Sequence, residues 1–159
     1  VVFAGTLGDW IDYDAIIATA KRLPGASILL AGAGTPERGK SLPSNVHLLG
    51  AVPYPRLPAL INACEAGIVP FLRTPRTEAA SSNKILQYLA CGLPVVASRT
   101  TEIEQTGAPV AICDGAEEFA QAVAAALNDP ATGKDIRIAF ARQNTWAKRA
   151  AVVRSVLAL

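Results

Sequence analysis

"SSNKILQYLACGLPVVAS", residues Ser81 to Ser98, decides how the rest of the chain is read. Ser81 or Ser82 can cap the N-terminus of a helix. Gly92 suits the left-handed position just past the end of that helix. Pro94 then opens "PVVAS", an apolar run of strand length. A helix followed at once by a wholly apolar strand is the repeating unit of a parallel sheet covered on both faces. Lys84 is the odd feature. It stands in the first turn of the helix, where the backbone dipole already presents positive charge. Either it points into water from a surface helix, or an anion sits in front of it.

The same alternation continues outward from this stretch. "VVFAG" (Val1–Gly5), "SILLAG" (Ser27–Gly32), "VHLLG" (Val46–Gly50), "AGIVPF" (Ala66–Phe71), "PVVAS" (Pro94–Ser98) and "VAIC" (Val110–Cys113) read as strands. Between them, Asp12–Leu23 places Tyr13, Ile16, Ile17 and Ala20 on one helical face, and Leu57–Cys64 is a shorter helix. Asp114 and Glu117 form a variant of the capping box, followed by Phe119, Ala122, Val123, Ala126 and Leu127 at helical spacing up to Pro130. Helical sequence resumes near Gly133, and Trp146–Leu159 is a last amphipathic segment. The pattern predicts an α/β fold: a Rossmann-like, doubly wound parallel sheet of about six strands with helices on both faces, one domain over residues 1–159. Ligands of such sheets bind outside the carboxyl ends of the strands. The loops to watch are therefore Thr6–Ile11, Ala33–Ser44, Ala51–Arg56, Leu72–Ser82 and Arg99–Gly107.

Composition excludes several classes. The 159 residues are 51% hydrophobic and 18% charged, which is no disordered chain. A net charge of +2 is too small to argue for nucleic acid or lipid headgroups as partners. No apolar run is long enough to span a membrane. Cys64, Cys91 and Cys113 lie in apolar stretches without CxxC spacing and read as reduced thiols of a cytoplasmic protein. The mean hydropathy of +0.30 fits an Ala- and Val-rich core, or an apolar surface meant for a partner. The chain starts inside a strand and contains no Met, so we expect a further, N-terminal domain beyond it.

Other motifs fail on context. "GAGTPERG" (Gly32–Gly39) follows a strand, but its third glycine is misplaced and no helix opens for a dinucleotide. "GTPERGKS" (Gly34–Ser41) matches the P-loop letter for letter, yet Pro43 and the strand at Val46 leave no room for the required helix. His47 lies within a strand, and one histidine with three scattered cysteines builds no typical zinc site. Asp12-Tyr13-Asp14 spells Asp-x-Asp, a pattern able to hold a metal. It falls at a helix start, where acids complement the dipole and residues i and i+2 do not share a face. No metal is expected.

What remains is the loop "LRTPRTEAASS" (Leu72–Ser82), with Arg73, Arg76, Thr77, Glu78, Ser81 and Ser82. It feeds the helix of the opening stretch. The free N–H groups of that first turn point back toward the loop, a geometry that holds phosphate. Lys84 would add a point charge beside it. Lys84, Gln87 and Tyr88 share one side, with Ile85, Leu86 and Leu89 turned toward the core.

With these residues in view, the chain resembles the C-terminal, donor-binding domain of GT-B glycosyltransferases of the group 1, family 4-like type. The likeness runs through "VVFAGTLGDWIDYDAI", "ILLAGAG", "NVHLLGAVPYPRLPALINACEAGIVPF", "SSNKILQYLACGLPVVAS" and "NTWAKRA". It implies an enzyme that moves a sugar from a nucleotide-diphosphate sugar, UDP above all, to a hydroxyl acceptor that is a sugar or lipid-linked glycan. Bacterial relatives build surface polysaccharides such as exopolysaccharide. The resemblance implies no cofactor and no metal, a cytoplasmic location, and any membrane-face contact through the N-terminal domain.

Residue by residue, the resemblance gives Gly5, Gly8, Ser81, Ser82, Asn83 and Lys84 to the diphosphate, with Lys84 as the catalytic cation. Gln87 falls to the ribose. Gly50, Ala51, Val52 and Pro53 fall to the base. Arg73, Arg76 and Glu78 are candidates for donor-sugar or phosphate contacts. The chain departs from the family's paired glutamates, which would stand at positions 79 and 87; here they are Ala79 and Gln87. An amide still accepts one ribose hydrogen bond and donates another, without a carboxylate's charge-assisted strength. A nucleotide-sugar epimerase of the same architecture and a noncatalytic binding module of this fold are the alternatives.

Overall fold

Buried apolar strands need helices on both faces, and the computed structural model, which describes residues 1–36, 41–80 and 83–157, has that arrangement. The strands are β1 (Val2–Ala4), β2 (Ile28–Ala31), β3 (Val46–Gly50), β4 (Gly67–Val69), β5 (Val95–Ser98) and β6 (Ala111–Cys113). They form one six-stranded sheet in the order β3-β2-β1-β4-β5-β6, and every pairing is parallel. The helices are α1 (Tyr13–Arg22), α2 (Leu57–Asn62) after a 3-10 turn at Tyr54–Arg56, α3 (Pro75–Glu78), α4 (Asn83–Ala90), α5 (Thr101–Gln105), α6 (Gly115–Asn128), α7 (Lys134–Gln143) and α8 (Trp146–Val156). The predicted α/β class and strand count hold, and each strand core falls inside its predicted run. The strand order reverses between β1 and β4, which makes that edge the topological switch point of the sheet.

Local chemistry sets the helix ends. Asp12 Oδ1 accepts from the Ala15 N–H at 2.9 Å, so the Asp-Tyr-Asp run begins α1 as its spacing predicts. The Asn45 side-chain amide donates to the carbonyls of Ala20, Leu23 and Ala26, closing the other end. Tyr13, Ala15, Ile16, Thr19 and Ala20 are buried, while Ile17 is half-buried. Asp114 departs from its predicted role. Its carboxylate accepts from Arg99 Nε at 2.7 Å, and its own N–H donates to Glu118, one residue beyond the expected Glu117. Arg99, at the end of β5, competes for the carboxylate that would otherwise cap α6. Phe119, Ala120 and Val123 form the buried face of α6.

Two short helices, α3 and α5, lie within segments read as loops. The edge strand β3 and helix α8 carry much of the exposed apolar surface. Leu48 and Leu49 are exposed on β3, as are Trp146, Val152, Val153 and Val156 on α8, which buries no residue. Of the P-loop match, residues 37–40 lie outside the described residues. The residues after it, Leu42–Asn45, form no helix before β3.

The sheet opens at its switch point. β1 pairs with β2 at three registers but with β4 only at Val2↔Gly67. Two residues on, the Ala4 N–H donates to the Tyr88 hydroxyl at 2.7 Å. Tyr88 is fully buried, and a Cβ at Gly67 would run into its ring. The phenol therefore supplies the bond that a continued ladder would have made, and glycine in β4 leaves space for the ring. This corrects the predicted facing of α4: Tyr88 joins Ile85 and Leu89 in the core, and Leu86 is only half-buried.

Candidate functional site

A cleft of about 350 Å³ lies at the carboxyl ends of β1, β2 and β3. Gly5 and Thr6 follow β1, Gly32 and Ala33 follow β2, and Ala51 and Val52 follow β3. Tyr54 and Leu57 form one wall, and Asn83, Lys84 and Gln87 from α4 form another. Gly32 is required here because its backbone crosses close to that of Gly5, leaving no room for a Cβ. Lys84 is the only charged side chain among the described residues of the lining, and no carboxylate faces it there.

Lys84 is half-buried, and that burial lowers its pKa from the ordinary lysine value. Its Nζ lies 5.7 Å from the Phe3 ring centre and 5.6 Å from that of Phe71, one from each side of the opening between β1 and β4. Gly5 makes the seat. A Cβ at Gly5 would collide with Lys84 Cε and come within 2.9 Å of Nζ. Among the described residues no carboxylate pairs with this half-buried ammonium, which rests on two aromatic faces and can accept an anion.

Of the residues singled out from the sequence, the fold brings Gly5, Ala51, Val52, Asn83, Lys84 and Gln87 together at this cleft. Ser81 and Ser82 lie outside the described residues. Gly8 packs under the Trp10 ring instead of lining the cleft. Gly50, with φ +67°, and Pro53 shape the turn that presents Ala51 and Val52. Arg76 stacks on Trp10, its guanidinium carbon 4.1 Å from the ring centre. Arg73 and Glu78 bind each other, and Glu78 also accepts from the Thr101 N–H and hydroxyl, each at 2.7 Å. Those three bonds hold the Glu78 carboxyl down to about 2, Thr101 contributing first and Arg73 after it. The sequence named the loops that hold Thr6 and Tyr54 but not these residues individually, and it missed Gly32 and Leu57. The aromatic next to the predicted base loop was the available sign for Tyr54.

A model of the glycosyl transferases group 1 family matches residues 1–129. The chain belongs to that family. No functionally curated protein matches this glycosyl transferase chain in sequence. Among solved structures it is similar to HepE of Anabaena in complex with UDP and glucose, at 19% identity and TM-score 0.76, over 99% of this chain and 48% of that one. It is also similar to sucrose-phosphate synthase from Thermosynechococcus elongatus, at 20% identity and TM-score 0.67, over 99% of this chain and 45% of that one. A third is the UDP-forming α,α-trehalose-phosphate synthase of Burkholderia xenovorans in complex with glucose-6-phosphate, at 16% identity and TM-score 0.67, over 98% of this chain and 43% of that one. The glycosyl transferase chain thus spans about half the length of the structures it matches. At these identities the likeness is one of fold, the α/β Rossmann-like fold of GT-B proteins. Among the described residues, no group of three or more His, Cys, Asp or Glu side chains could hold a metal ion. No helix is long and apolar enough to cross a membrane.

Proposed function

We propose that this chain is the donor-binding part of a glycosyltransferase that moves a sugar from a nucleotide-diphosphate sugar to a hydroxyl acceptor. The observation that carries the reading is Lys84: a half-buried cation in a cleft whose described lining has no acid. The structures of HepE with UDP and glucose, and with UDP-glucose, support UDP as the nucleotide. Surface-polysaccharide synthesis, a glycan acceptor and an acceptor-binding N-terminal domain belong to the same proposal.

In this reading, breaking the anomeric C–O bond leaves a nucleoside diphosphate whose negative charge must be stabilised as it develops. Lys84 Nζ and the free N–H groups of the first turn of α4 meet that charge without reorganising. Asn83 begins that turn, Ser81 and Ser82, outside the described residues, are assigned to the diphosphate with it, Gly5 lets the backbone of the β1 loop come close, and Gln87 hydrogen-bonds the ribose. Ala51 and Val52, positioned by Gly50 and Pro53, meet the base. Among the described residues the cation at the cleft is Lys84, since Arg73 pairs with Glu78 and Arg76 stacks on Trp10.

Titration with UDP, GDP and ADP, followed by NMR, tests the reading. Shifts confined to the cleft residues are expected, with UDP strongest; no binding at millimolar nucleotide would exclude a donor site here. A second reading, nucleotide binding without turnover, is favoured by Gln87 standing where the family pattern has an acid. Measured transfer of sugar by the intact protein separates the two.

A further inference from the structure

Glu78 stands one residue from the position where the family pattern has an acid, yet its carboxylate is already engaged. Oε2 accepts from both the N–H and the hydroxyl of Thr101, and Oε1 accepts from Arg73 Nε. A carboxylate offers about four lone-pair sites. Three are taken by protein donors, and Glu78 does not line the cleft. We propose that Glu78 is a positioning residue that ties the β4–α4 loop to the start of α5 and thereby sets where Asn83 and Lys84 stand.

The loop needs such a tie. α3 has four residues, too few to persist as an isolated helix. Inside it, Thr74 and Thr77 cap one another reciprocally, and Thr77 is buried, so residues 74–78 move as one turn. That turn has its own internal bonds but must be held against the rest of the domain. Glu78 does this across two neighbouring crossovers, the one after β4 and the one after β5. Phe71, against which the Lys84 ammonium rests, begins the tied loop, and Lys84 follows it. Phe71 is held separately, by its bridge to Ile11 and by its N–H, which donates to the Ser98 hydroxyl, so slack at Glu78 is felt on the Lys84 side of the cation's seat.

The inference rests on the donor-site reading for its effect on nucleotide binding, but not for its effect on the loop. The experiment uses the intact protein with Glu78→Ala, Glu78→Gln and the wild type, with two readouts. The first is the rate of tryptic cleavage after Arg73 and Arg76, which reports loop opening without any ligand. Glu78→Ala should raise it about tenfold, and Glu78→Gln by less, because the amide oxygen still accepts from Thr101. The second is affinity for UDP and for UDP-glucose. Glu78→Ala should weaken both by the same factor, roughly three- to tenfold, because the loss lies in the shared diphosphate seat. Loss of UDP-glucose affinity with UDP unchanged would make Glu78 a sugar contact and overturn the proposal. Unchanged cleavage would overturn it too. If the wild type binds neither nucleotide, the donor-site reading and this role in ligand positioning both fall, whereas the cleavage rates alone decide the loop tie.

Discussion

Replacing Lys84 by Met separates a lysine that serves a ligand from one that serves the fold. Met keeps the unbranched stem between Phe3 and Phe71 and removes only the charge. In the unliganded protein three terms change. Two cation–π contacts at 5.6 and 5.7 Å, near the outer limit of such contacts, are lost, and each contributes about 0.5 kcal/mol. A thioether against the same rings returns about 0.3–1.5 kcal/mol. The cost of holding a half-buried ammonium, visible in the burial that lowers its pKa, disappears. The first two terms roughly cancel and the third favours Met, so the unliganded variant should melt at the same temperature or higher. Binding goes the other way. A charge-assisted hydrogen bond to a diphosphate contributes about 1.5–3 kcal/mol, so UDP affinity should fall roughly 10- to 150-fold. Differential scanning calorimetry without ligand and isothermal titration with UDP read the two quantities. A variant that melts several degrees lower and binds UDP as well as the wild type would refute the reasoning, because Lys84 would then be a packing residue.

Three further outcomes follow from the same structure. Tyr88→Phe leaves the buried Ala4 N–H without its acceptor, which should cost about 1–3 kcal/mol in denaturant unfolding and speed hydrogen exchange at that amide; an unchanged midpoint would show that the phenol does not complete the sheet. Gln87→Glu restores a charge-assisted acceptor, so UDP should bind roughly fivefold tighter, a gain of about 1 kcal/mol that 2′-deoxy-UDP does not share in full; weaker binding of both would place Gln87 away from the ribose. The Glu78 carboxyl sits at about 2 instead of 4.5. Its folded pKa is depressed, so its contribution is present above about 4.5 and lost as pH falls toward 2; the stability difference between wild type and Glu78→Gln should close over that interval in acid titration and stay constant from pH 5 to 8.

Most strands were legible because they are short apolar runs, as a sheet buried on both faces requires, whereas the edge strand β3 carries His47 and exposes Leu48 and Leu49. The helix starts were legible where a single side chain decides them, as Asp12 does for α1. α3 and α5, of four and five residues, fall below the length at which an apolar period can be seen at all. Arg137 was equally hidden. It is buried among the carbonyls of Gly92, Thr132 and Pro130, and nothing in a charged residue on a polar helix announces three backbone partners. At the cleft, the chemistry of Lys84 was legible from its place in a first turn, but its seat was not. Gly5 reads as an ordinary strand-ending glycine until the fold brings it against a lysine from the other side of the switch point. Arg73, Arg76 and Glu78 show the converse. Spacing placed them in a phosphate-facing loop, and a tryptophan, a threonine and each other claimed them first.

Lys84 and Tyr88 explain each other. They are four residues apart on α4, so they point the same way, with Tyr88 about 6 Å deeper along the helix axis. The deeper residue is the one that takes over the hydrogen bond of β1 where its ladder with β4 ends. The shallower one then has an opening to enter, floored by Phe3 from β1 and Phe71 from the end of β4. A single face of one helix thus both parts the sheet and places a cation in the gap. If the ladder closed over Tyr88, Phe3 and Phe71 would approach each other and the ammonium would be expelled into solvent. The sheet defect at Ala4 and the proposed anion site at Lys84 are therefore one feature, and substitutions at Gly67, which gives the Tyr88 ring its space, should weaken nucleotide binding although Gly67 lines no part of the cleft.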